Sequence, residues 1–174
     1  MTTLTDYAAL SAIVYNDVRQ QKNKLSPLPG WTEILSDTGS LGFTAGAYKN
    51  GNDIVIAFKG TDTIVENATT DWLLGNIPAG LGIGSSQLIS AALFYEAVKA
   101  ANPGANITFT GHSLGGGLAS VMAVYFDKNA TTFDEAPFLL SAVNPVFTGA
   151  VATSLIGNER TKSVPFLHQW RQTA

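Results

Sequence analysis

A chain of 174 residues, 45% of them hydrophobic and 13% charged, is long enough for one domain with a substantial core. A net charge of −3 without any basic run leaves out the electrostatic footprint of a nucleic-acid binder. The chain has no cysteine, which removes disulfides, thiol catalysis and thiolate metal sites; with His112 and His168 as its two imidazoles, it is also poorly equipped for a histidine-rich metal site.

Met1 to Asp6 lacks the basic n-region and continuous apolar h-region of a Sec signal peptide, and no apolar run is long enough to span a bilayer. The expectation is a protein that is cytoplasmic, exported without an N-terminal leader, or stripped of its leader. Thr3-x-x-Asp6 reads as a capping box, and Leu4, Tyr7, Ala8, Ser11 and Val14 recur at helical spacing, which predicts a packing helix from about Asp6 to Tyr15. Lys22 to Gly30 is a polar loop with two prolines. Strands are predicted over Trp31 to Leu35 and Leu41 to Tyr48, meeting around Ser36-Asp37-Thr38-Gly39, with a hairpin turn at Asn50-Gly51-Asn52. Asp53 to Phe58 is nearly continuously apolar, as in a strand covered on both faces.

Lys59 to Ser85 has little regular periodicity but many apolar residues; the stretch from Trp72 to Ile83 reads either as a flap for an acyl chain or lipid interface, or as core filling. Ser86 to Ala101 is patterned as a helix, Asn106 to Thr110 as a strand and Leu114 to Asp127 as a helix. Beyond them the expectation is a strand over Phe138 to Val143, a helix over Val146 to Ile156 and a last strand over Lys162 to His168, despite Pro165. Strands alternating with helices after Asp53 predict a mostly parallel sheet flanked by helices, entered through a small antiparallel edge. That is an α/β-hydrolase-like architecture, read as a single domain over residues 1–174 with an incomplete C-terminal part.

The run Thr110-Gly111-His112-Ser113-Leu114-Gly115-Gly116 places a serine where a strand turns sharply into a helix. The Gly-x-Ser-x-Gly pattern has a steric origin: on so tight a turn the strand and helix approach too closely for a Cβ at the positions two before and two after the serine. Those positions are Gly111 and Gly115. A phosphate-binding loop would need a Gly-Lys-Ser/Thr ending, and no lysine lies near these glycines. Acyl transfer by Ser113 needs a base, an orienting acid and donors for the developing oxyanion. The N–H of Leu114, opening the helix, is one donor. Phe58-Lys59-Gly60-Thr61 offers a second through Thr61, unless Gly60-Thr61 only ends a strand.

The pairing of Ile56-Ala57-Phe58-Lys59-Gly60-Thr61-Asp62 and Asp71-Trp72 with the Ser113 motif resembles the class 3, or fungal-lipase-like, family of triacylglycerol lipases and phospholipases, in particular its leaderless bacterial members. The resemblance covers Ile54 to Val143 well. It implies Ser113 as nucleophile, Thr61 and Leu114 as oxyanion hole, Gly111, His112 and Gly115 as supports of the elbow, and an ester or lipid substrate. It implies no metal or organic cofactor for the chemistry, although some relatives bind calcium for structure. Lys59 stands where the family more often has arginine, a departure of little consequence if that side chain points outward.

Family order is Ser, then Asp, then His. After Ser113 the chain offers Asp127, Asp134, Glu135 and Glu159, and His168 as the one later histidine. With the next strand at Phe138, all four acids are expected at the sheet edge opposite the Ser113 turn. Three explanations stand: the triad partners lie beyond Ala174 in a longer lipase, His168 forms a dyad with Ser113, or a neighbouring chain completes the site. A non-catalytic binding or oligomerisation module is the rival to the enzyme. An unfilled C-terminal sheet edge predicts a dimer or larger assembly.

Overall fold

The first helix, α1 (Leu4–Ile13), begins at the capping box. The Asp6 N–H donates to Thr3 Oγ1 at 3.2 Å, and the Thr3 N–H donates to the Asp6 carboxylate at 2.9 Å. Because Thr3 is the cap, the helix starts two residues before the expected Asp6, and it ends at Ile13, where the chain tightens into a 3₁₀ turn over Val14–Asp17. The structure, a computed structural model, describes residues 1–17, 19–39, 43–60 and 83–135, residues 83–85 through their backbone alone. The expected flap and the elements expected from Phe138 to His168 lie outside the described residues.

Five strands, β1 (Thr32–Thr38), β2 (Thr44–Asn50), β3 (Asp53–Phe58), β4 (Asn106–His112) and β5 (Ala130–Phe133), lie side by side in chain order. β2 is antiparallel to β1 and to β3, whereas β3, β4 and β5 run parallel. The predicted antiparallel entry and parallel centre are both present. Gly51, at φ +57°, makes the β2–β3 turn where Asn50-Gly51-Asn52 was expected to make it. β1 runs on through Ser36, Asp37 and Thr38, which the sequence suggested as a turn, because those residues pair with Gly46, Ala45 and Thr44. The strand is exposed along its whole length, so no buried face demands apolar residues there.

Two helices, α2 (Ile83–Ala101) and α3 (Leu114–Phe126), cover one face of the sheet, and α1 covers the other. Strand β3 shows why its sequence is apolar throughout. Ile54, Ile56 and Phe58 enter the core under α2 and α3, with Phe109, Tyr95 and Leu118, while Val55 and Ala57 enter the core under α1 with Leu10, Ile13 and Trp31. On the α1 face Tyr48 is also buried, and that burial, with Glu33 alongside, holds its phenol well above the usual tyrosine range. β4 turns Thr108 and Thr110 toward α1: the Tyr7 hydroxyl donates to Thr108 Oγ1 at 3.0 Å, and Thr110 donates to the Thr131 carbonyl at 2.7 Å.

Strand β5 was not foreseen, and it overturns one step of the sequence argument. It is parallel to β4 with His112 opposite Phe133, so Asp134 and Glu135 emerge at the same carboxyl edge as Ser113, not at the opposite one. Ala130-Thr131-Thr132-Phe133 is only four residues long and half-buried throughout, leaving no alternation to read. Asp127 does stay at the far edge, closing α3 in a left-handed conformation.

Candidate active site

β4 delivers the chain to Ser113 and α3 begins at the next residue. Ser113 sits at φ 55° and ψ −125°, a backbone region that L-residues avoid. Its side chain makes no capping bond to the helix it precedes, although serine is a favoured cap. The backbone is held instead: the Ser113 N–H donates to the Phe133 carbonyl at 3.1 Å, and the Gly117 N–H donates to the Ser113 carbonyl at 3.1 Å. The flanking glycines are sterically required. A Cβ on Gly111 would collide with the backbone of Gly115, and a Cβ on Gly115 with the carbonyl of Phe58 at the end of β3. The strand on one side of the elbow and the helix on the other therefore touch backbone to backbone, as the glycine spacing required.

The end of β3 reaches the same place. A Cβ on Gly60 would lie 3.2 Å from the His112 carbonyl and 3.5 Å from the Leu114 nitrogen, so this turn abuts the N-terminus of α3. The first turn of a helix carries N–H groups without intrahelical partners and a positive dipole end. Leu114 N–H thus sits beside Gly60 in a location suited to an anionic oxygen. The Gly60 N–H is engaged by the Tyr15 hydroxyl at 2.9 Å. Lys59 does not point outward: its side chain is 3% exposed, and its ammonium lies 2.6 Å from the Asp17 carboxylate.

A family model described as "Phospholipase-like: Tle-like phospholipase domain" matches residues 6–151. The chain belongs to the Tle-like phospholipase domain family. Extracellular phospholipase A1 of Serratia liquefaciens is 40% identical over 102 residues, which are 59% of this chain and 30% of that protein. The chain thus covers less than a third of the relative's length. Among solved structures, lipase II from Rhizopus niveus superposes with a TM-score of 0.53 at 20% identity, covering 75% of this chain and 60% of that one. A lipase from Rhizopus microsporus var. chinensis superposes at 0.50 with 21% identity, covering 75% and 55%. These likenesses show the α/β-hydrolase-like fold.

In this Tle-like phospholipase domain the structure brings Ser113, Leu114, Gly111, Gly115 and Gly60 together, and it leaves His112 exposed at the end of β4, in register with Phe133. Thr61 and His168 lie outside the described residues. Sequence reasoning missed three groups at this edge. Tyr15 and Asp17 reach the β3 turn from more than forty residues away, so no local pattern betrays them. Glu135 follows β5; its carboxylate accepts from Ser120 at 2.5 Å and from Thr132 at 2.9 Å, and its Cβ stands 3.0 Å from where Gly116 would carry one. It ties the exit of β5 to the first two turns of α3. Recognising Ala130–Phe133 as a strand would have exposed it.

Proposed function

We propose that the protein is a serine-dependent carboxylic-ester hydrolase acting on acyl esters of lipids, with glycerophospholipids as the favoured class. The observation that carries this is the strained, uncapped Ser113 on a strand-to-helix elbow whose Leu114 amide abuts the Gly60 turn. The family and the phospholipase A1 relative support the choice of lipid.

Ser113 Oγ attacks the ester carbonyl carbon while its proton passes to a base. The carbonyl oxygen, now an oxyanion, takes hydrogen bonds from the Leu114 and Thr61 N–H groups. The tetrahedral adduct expels the alcohol, which receives the proton, and water then cleaves the acyl-serine by the same steps in reverse roles. His168 is the base candidate within this sequence. The other two sources are a histidine beyond Ala174 and one supplied by a neighbouring chain.

The test is hydrolysis of p-nitrophenyl butyrate and of a diacyl phosphatidylcholine by the chain and by Ser113→Ala, with fluorophosphonate labelling alongside. We expect Ser113→Ala to lose about 10⁶-fold in rate if a base is present, falling to the roughly 10³–10⁴-fold acceleration that binding and oxyanion stabilisation retain. His168→Ala should fall as far if His168 is the base. Equal rates for Ser113→Ala and the parent chain, with no labelling, would mean that no base acts on Ser113 within these residues, leaving a base beyond Ala174 or a non-catalytic module.

A further inference from the structure

Stabilising an oxyanion requires donors that do not move as charge develops, and an error of about 1 Å in such a site can cost about 100-fold in rate. On the hydrolase reading above, the turn after β3 is one of the two walls of that site. We propose that the 3₁₀ turn after α1 is its clamp: Tyr15 is a positioning residue for the oxyanion segment, assisted by the Asp17–Lys59 ion pair.

The turn is gripped from two sides. From β2, the Thr44 carbonyl accepts the Lys59 N–H at 3.0 Å. From the 3₁₀ turn, the Tyr15 hydroxyl accepts the Gly60 N–H at 2.9 Å, and Asp17 holds the Lys59 ammonium at 2.6 Å. The Gly60 amide is committed to Tyr15, so on the hydrolase reading it is not the donor that this segment offers to an oxyanion. Position matters as well as bonding. The space beside Gly60 that a Cβ would fill is bounded by Tyr15 Oη at 2.8 Å, the His112 carbonyl at 3.2 Å and the Leu114 nitrogen at 3.5 Å. Tyr15, the β3 turn and the first amide of α3 thus share one contact point, and a shift of the tyrosine changes the spacing between the two oxyanion walls.

The Asp17 carboxylate meets the Lys59 ammonium at the turn. The cation of this pair is buried and its carboxylate is 26% exposed, which makes the pair a fixed strut whose removal from the lysine end leaves the acid access to water.

The experiment compares the full chain with Tyr15→Phe, which keeps the ring and removes the hydroxyl. Its readouts are hydrogen exchange of the Gly60 amide by NMR, kcat and KM on p-nitrophenyl butyrate, affinity for an alkyl boronic acid that forms a tetrahedral serine adduct, and Tm. We expect Gly60 exchange to quicken about tenfold. We expect kcat and boronate affinity to fall about 10- to 100-fold with KM within about twofold. Lys59→Met should lower kcat in the same pattern, and Lys59→Arg should recover most of it. Unchanged Gly60 exchange in Tyr15→Phe, or a loss confined to KM, overturns the clamp; so does an equal loss in Lys59→Arg and Lys59→Met. If Ser113→Ala hydrolyses as fast as the parent, Ser113-dependent hydrolysis by these residues fails by itself, and Gly60 exchange still decides whether Tyr15 holds the turn.

Discussion

Ser113 carries a conformational cost at a single residue. Its φ of 55° with ψ of −125° is a conformation open to glycine and costly to serine, of order 1–3 kcal/mol. The cost is met by what surrounds it: the Phe133 carbonyl takes its N–H, and Gly111 and Gly115 let the backbones close on each other. Ser113→Gly should therefore raise stability by about 1 kcal/mol while abolishing ester hydrolysis. Urea unfolding followed by fluorescence measures the first effect, and an esterase assay the second. A Ser113→Gly variant less stable than the parent would mean that the side chain supports the fold and that strain is not its main contribution.

At the scale of elements, the ends of strands matter more than their middles. Asp53 opens β3 and meets two other parts of the chain: Asn106, at the start of β4, donates to it at 2.9 Å, and at the N-terminus Thr2 lies 3.4 Å away and the terminal ammonium 3.7 Å away. The Asn106 hydrogen bond holds its carboxyl below the usual aspartate range, outweighing the opposing effect of burial, with lesser help from the ammonium and Thr2. A carboxylate whose folded pKa is depressed contributes stability that is present above its unfolded pKa and is lost as pH falls through the folded value. Stability should thus drop below about pH 4, and Asp53→Asn should flatten that part of the profile. Thermal unfolding between pH 2 and 6 checks this, and parallel profiles for the two chains would assign the acid loss to other groups. At the opposite end of the same strands, the β3 turn, the β4 elbow and the exit of β5 gather around Ser113, as parallel strands place their carboxyl ends at one edge.

At the scale of the molecule, two cores share one sheet among the described residues. Phe109, in the middle of β4, stacks on Phe58 with ring centroids 5.9 Å apart and meets the tilted ring of Tyr95 at 5.5 Å, so it joins β3, β4 and α2 directly behind the elbow. Removing its ring leaves a cavity that close-packed neighbours fill only in part. Phe109→Ala should cost about 3–5 kcal/mol by urea unfolding, as for other buried aromatic truncations. A cost below about 1 kcal/mol would show that this core relaxes freely and does not brace the site. The other core, under α1, lies on the face from which Tyr15 and Asp17 reach the β3 turn. Each face of the sheet therefore contributes to the edge that carries Ser113, one through α3 and the other through the turn that follows α1.

Local chemistry made much of this legible. The Thr3 capping box, the glycine of the β2–β3 turn, the doubly covered β3 and the glycine pair around Ser113 each follow from residues within a few positions of one another, where steric and hydrogen-bonding rules act directly. The helices α2 and α3 were equally readable from apolar period. The tertiary structure alone decided what joins distant segments. Tyr15 meets Gly60 and Asp17 meets Lys59 because α1 packs across the sheet, which is also why Lys59 is buried when its chemistry alone favours water. Glu135 stands at the Ser113 edge because a four-residue strand, too short to leave a pattern, finds a partner in β4 and turns the chain the right way round. Periodicity tells which face of an element is buried, but contact between elements far apart in sequence depends on how they pack, and that is where the surroundings of the candidate nucleophile were set.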